Sequence, residues 1–210
     1  MSPTPTQITE YDRTAPTRGE TETATFALGC FWGPDARFGA MDGVVRTRVG
    51  YAGGTKPDPT YRDLGNHTEA FQIDYRPEEH PFGDLLDNAF RSHDHTRQPT
   101  KVQYQNVVFV STAEQAEAVD AYLDSRGLTS DGIETRVEQL SAFHLAENYH
   151  QKHSLRAGQS LLNTFEQAGY DDVDLRESPA AAKLNGYAAG REISSYHDLG
   201  TSTNRTIHTG

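Results

Sequence analysis

Residues 24–33 read Ala-Thr-Phe-Ala-Leu-Gly-Cys-Phe-Trp-Gly, and Pro34 follows them. The apolar run ahead of Cys30 is typical of a strand, and proline is favoured in the first turn of a helix. The stretch therefore predicts a switch from strand to helix at Cys30, the only cysteine of the chain. Free backbone donors and the positive end of a helix dipole favour a thiolate, so we expect a low pKa for Cys30. A buried structural cysteine is the alternative.

The segments after this switch show strand and helix patterns in turn. Apolar residues occupy alternate positions over 45–51 and again over 69–75, which predicts two strands with one buried face each. Glu69 shares its face with the apolar residues of its strand, so a carboxyl group is expected at the mouth of an apolar surface. Helical spacing over 82–92 and the capping box that begins at Ser111 predict two helices.

The two ends of the chain are expected to be less regular. Residues 1–20, rich in Thr and Pro, predict a disordered lead-in, and residues 21–160 a folded domain with a last core helix starting near Ala146. Residues 161–210 are expected to form a C-terminal extension that is partly irregular. An apolar content of 35% and a mean hydropathy of -0.72 agree with polar ends.

The charge of the chain restricts its partners. With 30 acidic and 19 basic residues the formal net charge is -11, which argues against nucleic acid or an anionic membrane as a partner. The acidic, lysine-poor composition is compatible with a high-salt cytoplasm. One cysteine cannot form an internal disulfide, and no basic segment followed by an apolar run opens the sequence. We therefore expect a cytoplasmic protein, and a monomer.

Seven short motifs occur in one order along the chain. They are Gly-Cys-Phe-Trp-Gly at 29–33, Val-Gly-Tyr-Ala-Gly-Gly at 49–54, Pro-Thr-Tyr at 59–61, His-Thr-Glu-Ala at 67–70, His-Asp at 93–94, Gln-Tyr at 103–104 and Ala-Glu-Asn-Tyr-His-Gln-Lys at 146–152. With this ordered set the chain resembles the A-type peptide-methionine (S)-S-oxide reductases over roughly residues 24–153.

This resemblance implies both a fold and an activity. The expected fold is an α/β (α+β) two-layer sandwich around a mixed sheet, with a ferredoxin-like core and extended irregular termini. The expected activity is reduction of the S epimer of methionine sulfoxide, either free or in oxidised proteins. Residues 21–160 would then be the catalytic reductase domain.

Two residues have the chemistry that sulfoxide reduction requires. Cys30 can supply a soft nucleophile that attacks sulfur. Glu69 can supply the proton that the leaving oxygen needs, if burial raises its pKa from about 4.3 toward neutrality. A solvated carboxylate at a strand end is the alternative for Glu69.

Four aromatic residues are the candidate substrate-binding groups. Tyr61 and Tyr104 are neutral hydrogen-bond donors that can hold the sulfoxide oxygen. Phe31 and Trp32 lie next to the nucleophile and offer an apolar wall for the S-methyl group. The resemblance implies the same roles at these matched positions. The alternatives are ordinary core positions for Phe31 and Trp32 and a loop-capping role for Tyr61.

The chain differs from the A-type reductases that it resembles in two ways. Many of them carry an Asp between the His-Asp and Gln-Tyr motifs, whereas residues 95–102 contain no acid. Recycling cysteines near the C-terminus are also absent. A sulfenic acid formed on Cys30 would have no second cysteine to condense with, so a small thiol or a thioredoxin-like protein must regenerate it. We expect no bound cofactor.

Metal binding and other activities are the competing interpretations. Two histidine groups suggest a loose metal site, namely His93 with His95, and the set Glu147, His150 and His153. No Cys-rich or His-Glu-x-x-His pattern supports a metal, and we expect none. The family resemblance implies instead that Glu147, Tyr149 and His150 pack the last core helix near the site. One rival function is a weakened homologue that binds methionine-containing segments or senses thiols, which the missing Asp favours. Another is a Cys-His hydrolase with His150 or His67 as base.

Overall fold

A mixed β-sheet forms the centre of the fold. A computed structural model of the chain describes residues 3–129 and 132–194. Within these residues the strands are β1 Glu22–Leu28, β2 Val44–Ala52, β3 Thr68–Tyr75, β4 Asn106–Val110, β5 Arg136–Gln139 and β6 Phe143–Leu145. Their order across the sheet is β5-β4-β1-β3-β2-β6. Neighbouring strands are antiparallel, except for the parallel pair β4 and β5.

Helices precede, connect and follow these strands. They are α1 Pro5–Thr14, α2 Trp32–Gly39, α3 Phe82–Arg91, α4 Ala113–Ser125, α5 His153–Ala157, α6 Gln159–Gln167, α7 Asp172–Glu177 and α8 Pro179–Ala188. Short 3-10 helices lie at Arg18–Glu20, Val102–Tyr104 and Asn148–His150. In the part of the chain that the structure describes, no helix has the length and apolar character needed to cross a membrane.

One face of the sheet carries the main core. Alternate strand residues point to this face, as their period of two predicts, and they include Phe26, Val49, Tyr51, Phe71, Ile73, Tyr75 and Val108. Helices α2, α3 and α4 cover them with apolar side chains, among them Phe38, Phe82, Leu85, Leu86 and Val119. The ring of Phe26 lies 5.9 Å from that of Phe38 and 6.0 Å from that of Phe82. The expected mixed α/β architecture is therefore confirmed.

The N-terminal segment differs from the expected disordered lead-in, because residues 5–14 form helix α1. Thr4 caps this helix through a capping box with Gln7, and Pro5 occupies its first turn. Ile8 is fully buried among apolar residues of α6 and α8. The helix is thus held by a tertiary contact, which the weak periodicity of the segment did not reveal.

The segment after β6 lines the edge of β2 and does not form the core helix expected near Ala146. The side-chain amide of Gln151 donates to the Val49 carbonyl at 2.8 Å, and its oxygen accepts from the Val49 N–H at 3.0 Å. The fully buried Lys152 donates to the carbonyl of Thr47. These bonds satisfy backbone groups that a sheet edge leaves unpaired, and so they replace the pairing of a further strand.

Much of the expected C-terminal extension is a packed part of the fold. Helix α8 lies against α2, where Gly186 and Gly39 allow close approach of the two helices. The side chain of Asn185 donates to Asp35 of α2 at 2.8 Å. Helices α7 and α8 therefore correct the prediction of irregular structure for residues 172–188, and residues 195–210 lie outside the described residues.

Removing a buried side chain of α8 tests whether these helices belong to the folded unit. Leu184 is fully buried, so Leu184→Ala is expected to lower the free energy of unfolding by about 2–5 kcal/mol. Val173 of α7 is 50% exposed, and Val173→Ala is expected to change it by less than about 0.5 kcal/mol. Urea denaturation of both variants measures the difference. Equal, small effects would show that α8 contributes little to the core.

Candidate active site

Cys30 lies in the turn that joins β1 to α2. Strand β1 ends at Leu28, Gly29 turns the chain with φ +74°, and α2 begins at Trp32. A positive φ is readily adopted by glycine, which explains the sharp reversal. The switch from strand to helix is therefore where the sequence predicted it. Cys30 is exposed, and the Trp32 backbone N–H donates toward its sulfur.

The Glu69 carboxyl group lies beside this thiol and is almost completely buried. Only 1% of Glu69 is exposed, so it is not a solvated carboxylate at a strand end. Its Oε2 accepts from the Phe31 N–H at 3.1 Å, and its Oε1 accepts from Nε2 of Gln103 at 2.6 Å. A side-chain hydrogen bond also joins it to Cys30. The register of β3 thus brings the two predicted catalytic residues together.

The two groups of this pair shift each other's pKa in opposite directions. Burial raises the pKa of Glu69, against the opposing hydrogen bonds from Gln103, Phe31 and Cys30. Burial of the thiol raises the pKa of Cys30, the Trp32 N–H opposes this, and the carboxylate of Glu69 adds to it. The expectation of a lowered thiol pKa is therefore wrong, because the carboxyl neighbour and partial removal from water outweigh the helix terminus.

The raised pKa values leave one proton shared between thiol and carboxyl over a wide pH range. Such a coupled pair titrates as a unit, and its singly protonated form has two arrangements. One is thiol with carboxylate, and the other is thiolate with carboxylic acid. The second arrangement holds a nucleophile and an acid side by side, without any net change in protonation.

Two tyrosine hydroxyl groups lie on the open side of this pair. Tyr61 and Tyr104 are hydrogen-bonded to each other, and the pKa of Tyr104 is raised by burial and by the charge of Glu69. The Tyr104 hydroxyl therefore remains a protonated donor. The backbone N–H of Tyr61 is fixed by Oε1 of Glu147 at 3.0 Å, while Oε2 of Glu147 accepts from the Tyr51 hydroxyl at 2.7 Å. Glu147 therefore links the backbone at Tyr61 to Tyr51 of strand β2.

The two predicted apolar residues form a wall whose position is fixed from behind. Phe31 is 1% exposed and also belongs to the main core. Trp32 is half-buried, stacks on His153 with centroids 3.8 Å apart, and donates from Nε1 to Nδ1 of His150 at 3.3 Å. The ring of His150 lies 5.2 Å from Phe31 and 4.6 Å from Tyr61. Burial lowers the pKa of His150, which keeps it neutral.

Sequence reasoning did not foresee how four residues support the site. Gln103 orients the carboxyl of Glu69, Glu147 anchors the tyrosine turn, and His150 and His153 hold the indole of Trp32. The sequence placed residues 147 and 150 near the site, but as packing on a helix. In the sequence, only its place beside Tyr104 in the Gln-Tyr motif marked Gln103 as a possible site residue. Over residues 3–129 and 132–194, no group of three or more His, Cys, Asp or Glu is arranged to hold a metal ion.

The histidines proposed as hydrolase bases have other contacts. His67 uses both ring nitrogens on the loop after β2, where Nδ1 accepts from the Gly54 N–H at 3.1 Å and Nε2 lies 2.9 Å from the Lys56 carbonyl. In the described residues, no hydrogen bond joins His67 or His150 to Cys30. The thiol is paired with a carboxyl group instead. This fold and site define a cysteine-dependent oxidoreductase.

Comparison with known proteins identifies the family. The family described as "Peptide methionine sulfoxide reductase" matches residues 22–176. A peptide methionine sulfoxide reductase of Drosophila melanogaster is 39% identical over 171 residues, which are 80% of this chain and 68% of that protein. MsrA of Methanothermobacter thermautotrophicus is 40% identical over 144 residues, 63% of this chain and 85% of that protein.

Solved structures agree with these relatives. Methionine sulfoxide reductase A of Corynebacterium diphtheriae superimposes with a TM-score of 0.56 at 32% identity, covering 68% of this chain and 78% of that one. The reduced form of Mxr1 from Saccharomyces cerevisiae gives a TM-score of 0.57 at 26% identity, covering 67% and 88%. The chain belongs to the peptide methionine sulfoxide reductase family. The family match extends through α7, past the expected domain end at residue 160.

Proposed function

We propose that the protein reduces methionine-(S)-sulfoxide, free or in proteins, through a sulfenic acid on Cys30. The observation that carries the proposal is the hydrogen-bonded pairing of an exposed thiol with the buried, protonatable carboxyl of Glu69. The two groups supply what sulfoxide reduction needs at the same place, namely a nucleophile for sulfur and a proton for oxygen.

The proposed reaction balances with one proton. The Cys30 thiolate forms an S–S bond to the sulfoxide sulfur while Glu69 protonates the oxygen. The protonated oxygen then moves to the Cys30 sulfur, and both the S–O bond of the substrate and the new S–S bond break. The products are methionine and a sulfenic acid. Because the proton that leaves the thiol passes to the carboxyl before the step, the raised pKa of Cys30 does not prevent attack.

The aromatic residues are proposed to orient the substrate for this step. The hydroxyl groups of Tyr61 and Tyr104 donate to the sulfoxide oxygen and stabilise the charge that develops there. The rings of Phe31 and Trp32 accept the S-methyl group. Contacts to oxygen and methyl from different sides would select one epimer at sulfur.

Regeneration is proposed to depend on a thiol from outside the chain. The sulfenic acid of Cys30 reacts with a first thiol to give a mixed disulfide and water, and a second thiol releases Cys30 and a disulfide. Since Cys30 is the only cysteine, no step can be internal. A thioredoxin-like protein or a small thiol, in the cytoplasm, is the proposed reductant.

A chiral assay tests the proposal. With dithiothreitol as reductant, methionine is expected to form from the S epimer of a blocked methionine sulfoxide, while the R epimer remains unchanged. Chromatography of the products measures both. Saturable binding without methionine formation would support the alternative of a methionine-segment binder and would contradict the reductase.

Replacing Trp32 tests the role of the apolar wall. Trp32→Ala is expected to raise KM about tenfold and to change kcat less, because a methyl-sized apolar contact is worth about 1–3 kcal/mol. Steady-state kinetics on blocked methionine sulfoxide measure the two constants separately. Tyr187→Ala, which removes another partly exposed aromatic ring on α8, serves as control and is expected to leave both constants unchanged. An unchanged KM in Trp32→Ala would show that the indole packs in the core and does not contact the substrate.

A further inference from the structure

Two cationic side chains flank the tyrosine pair at the mouth of the site. They are Lys101 and Arg62, both exposed. In the described parts of the chain neither forms an ion pair, although acidic residues outnumber basic ones by 30 to 19. Unpaired cations beside a reaction site in an acidic protein suggest attraction of an anionic group.

Lys101 is held over one side of the mouth. It precedes the 3-10 turn Val102–Tyr104, and the Tyr104 N–H donates to its carbonyl at 2.9 Å. In a 3-10 turn the side chains at positions i and i+3 lie over one another. The Nζ atom of Lys101 accordingly lies 4.8 Å from the centre of the Tyr104 ring, a cation–π contact that leaves its N–H donors free for a ligand.

Arg62 is held beside Tyr61 by a tight turn. Thr60 and Asp63 exchange two backbone hydrogen bonds, of 3.2 and 3.0 Å, with Tyr61 and Arg62 between them at the tip. Because the Tyr61 N–H is fixed to Glu147, the tip cannot swing freely away from the site. Arg62 is thus presented next to the tyrosine that is proposed to bind oxygen.

The acidic side chains of Asp63 and Glu147 near this mouth already have partners. Asp63 pairs with Lys56 at 3.2 Å, and both oxygens of Glu147 accept hydrogen bonds from Tyr51 and Tyr61. Glu69 is buried beneath the mouth. Glu147 keeps its negative charge, but both of its oxygens are occupied by these donors, so direct contact with an anionic ligand at the rim is left to Lys101 and Arg62.

We propose that Lys101 and Arg62 select methionine sulfoxide groups that lie next to a carboxylate. The carboxylate can be the side chain of a neighbouring acidic residue in a peptide or the α-carboxylate of the free amino acid. This inference rests on the proposed reductase function and adds a substrate preference to it. The cations attract the carboxylate by Coulomb attraction from the rim. The charge of Lys101 also lowers the pKa of Glu69, an effect common to all substrates that cancels in their ratio.

Peptides of matched length test the preference. Blocked peptides that carry methionine-(S)-sulfoxide beside Asp, Gln or Lys are compared, with dithiothreitol, a small neutral reductant, throughout. At low ionic strength kcat/KM is expected to be about fivefold higher for the Asp than for the Gln peptide, and lowest for the Lys peptide. In 1 M salt, where screening extends over only about 3 Å, the ratio is expected to approach one.

A further substrate distinguishes the two sources of the carboxylate. N-acetyl-methionine-(S)-sulfoxide, which has a free α-carboxylate, is compared with its methylamide. A preference seen only for N-acetyl-methionine-(S)-sulfoxide over its methylamide would show that Lys101 and Arg62 recognise the α-carboxylate of the free amino acid. A preference seen only for the Asp peptide would show that they recognise an acidic side chain in a protein substrate. Either result supports selection of a carboxylate.

Charge-removing variants assign the effect to the rim. Lys101→Gln and Arg62→Gln are each expected to reduce the carboxylate-to-neutral ratio about two- to threefold, and the double variant is expected to abolish the preference. Arg191→Gln removes an exposed charge beyond α8, and the ratio is expected to stay unchanged.

The proposal is overturned if wild-type enzyme shows no preference for a carboxylate in any arm. It is also overturned if Arg191→Gln lowers the ratio as much as the rim variants do, because net charge would then be the cause. Equal turnover of all these substrates would still support the reductase function. Turnover of none of them would contradict that function itself.

Discussion

The variant Cys30→Ser is expected to lose all reduction of methionine sulfoxide, down to the background of the assay. A serine hydroxyl is not ionised near neutral pH and is a hard, weak nucleophile toward sulfur. No other cysteine in the chain can replace it. Methionine formation with dithiothreitol, at enzyme concentrations high enough to detect a loss of about 10⁴-fold, measures the effect.

Binding provides the control for this variant. Trp32 is the only tryptophan and lies beside Cys30, so its fluorescence reports occupation of the site. Cys30→Ser is expected to bind blocked methionine sulfoxide with a Kd similar to that of the wild type. Residual catalysis at more than about one hundredth of the wild-type rate would contradict nucleophilic attack by Cys30.

The variant Glu69→Gln is expected to lower kcat by about 10²–10⁴-fold near neutral pH, the usual contribution of a positioned acid. Glutamine keeps the size of the side chain but holds no transferable proton. Its amide oxygen can still accept from the Phe31 N–H, and its NH₂ group can donate to Gln103 once that amide turns over. Glu166→Gln, an exposed position on α6, is the matched control and is expected to keep wild-type kcat. Steady-state kinetics compare the two variants. A wild-type kcat in Glu69→Gln would show that Glu69 is not the proton donor.

The pH dependence separates loss of an acid from a structural defect. In the wild type the active form carries one shared proton, so the rate falls when the pair takes up a second proton and falls again when it loses the last one. Since both pKa values are raised, both limbs lie above the ordinary values of the groups. In Glu69→Gln the residual rate should rise with pH as the thiol ionises, with no alkaline fall.

Alkylation of the thiol gives an independent reading of the same coupling. The carboxylate of Glu69 is one of the causes that raise the pKa of Cys30, after burial. Removing its charge in Glu69→Gln is therefore expected to shift the pH midpoint of Cys30 alkylation by iodoacetamide downward. A midpoint equal to that of the wild type would mean that the two groups do not interact.

The central part of the fold could be predicted from local patterns. The apolar run before Cys30 and Pro34 after it mark a strand and a helix start, and the structure has β1 and α2 there. The alternation over 69–75 placed Glu69 on the buried face of its strand. In both cases neighbouring residues determine the outcome, so the sequence pattern was sufficient.

The ends of the fold depend on contacts between distant segments and could not be predicted in this way. Helix α1 is held by burial of Ile8 against the C-terminal helices. The path after β6 follows from side-chain bonds of Gln151 and Lys152 to the backbone of β2, about a hundred residues earlier in the chain. The periodicity of a single segment carries no information about either kind of contact.

The pKa of Cys30 shows the same limit at the site itself. Position at a helix start predicted a low value, yet burial of the thiol, to which the neighbouring Glu69 adds, raises it. That orientation is fixed by Gln103 and the Phe31 N–H. Residues 95–102 lack the Asp that many of the reductases this chain resembles carry between the His-Asp and Gln-Tyr motifs. The side-chain amide of Gln103 donates to Glu69, so an amide orders this carboxyl group here.

A single turnover without reductant, followed by mass spectrometry, tests most directly whether Cys30 and Glu69 act on the same S–O bond. We predict one equivalent of methionine per chain and one added oxygen on the Cys30 peptide, which dimedone traps as a sulfenic acid. In Glu69→Gln the same adduct should form far more slowly. Methionine formed without an added oxygen on Cys30, or at the same rate in both proteins, would contradict the mechanism.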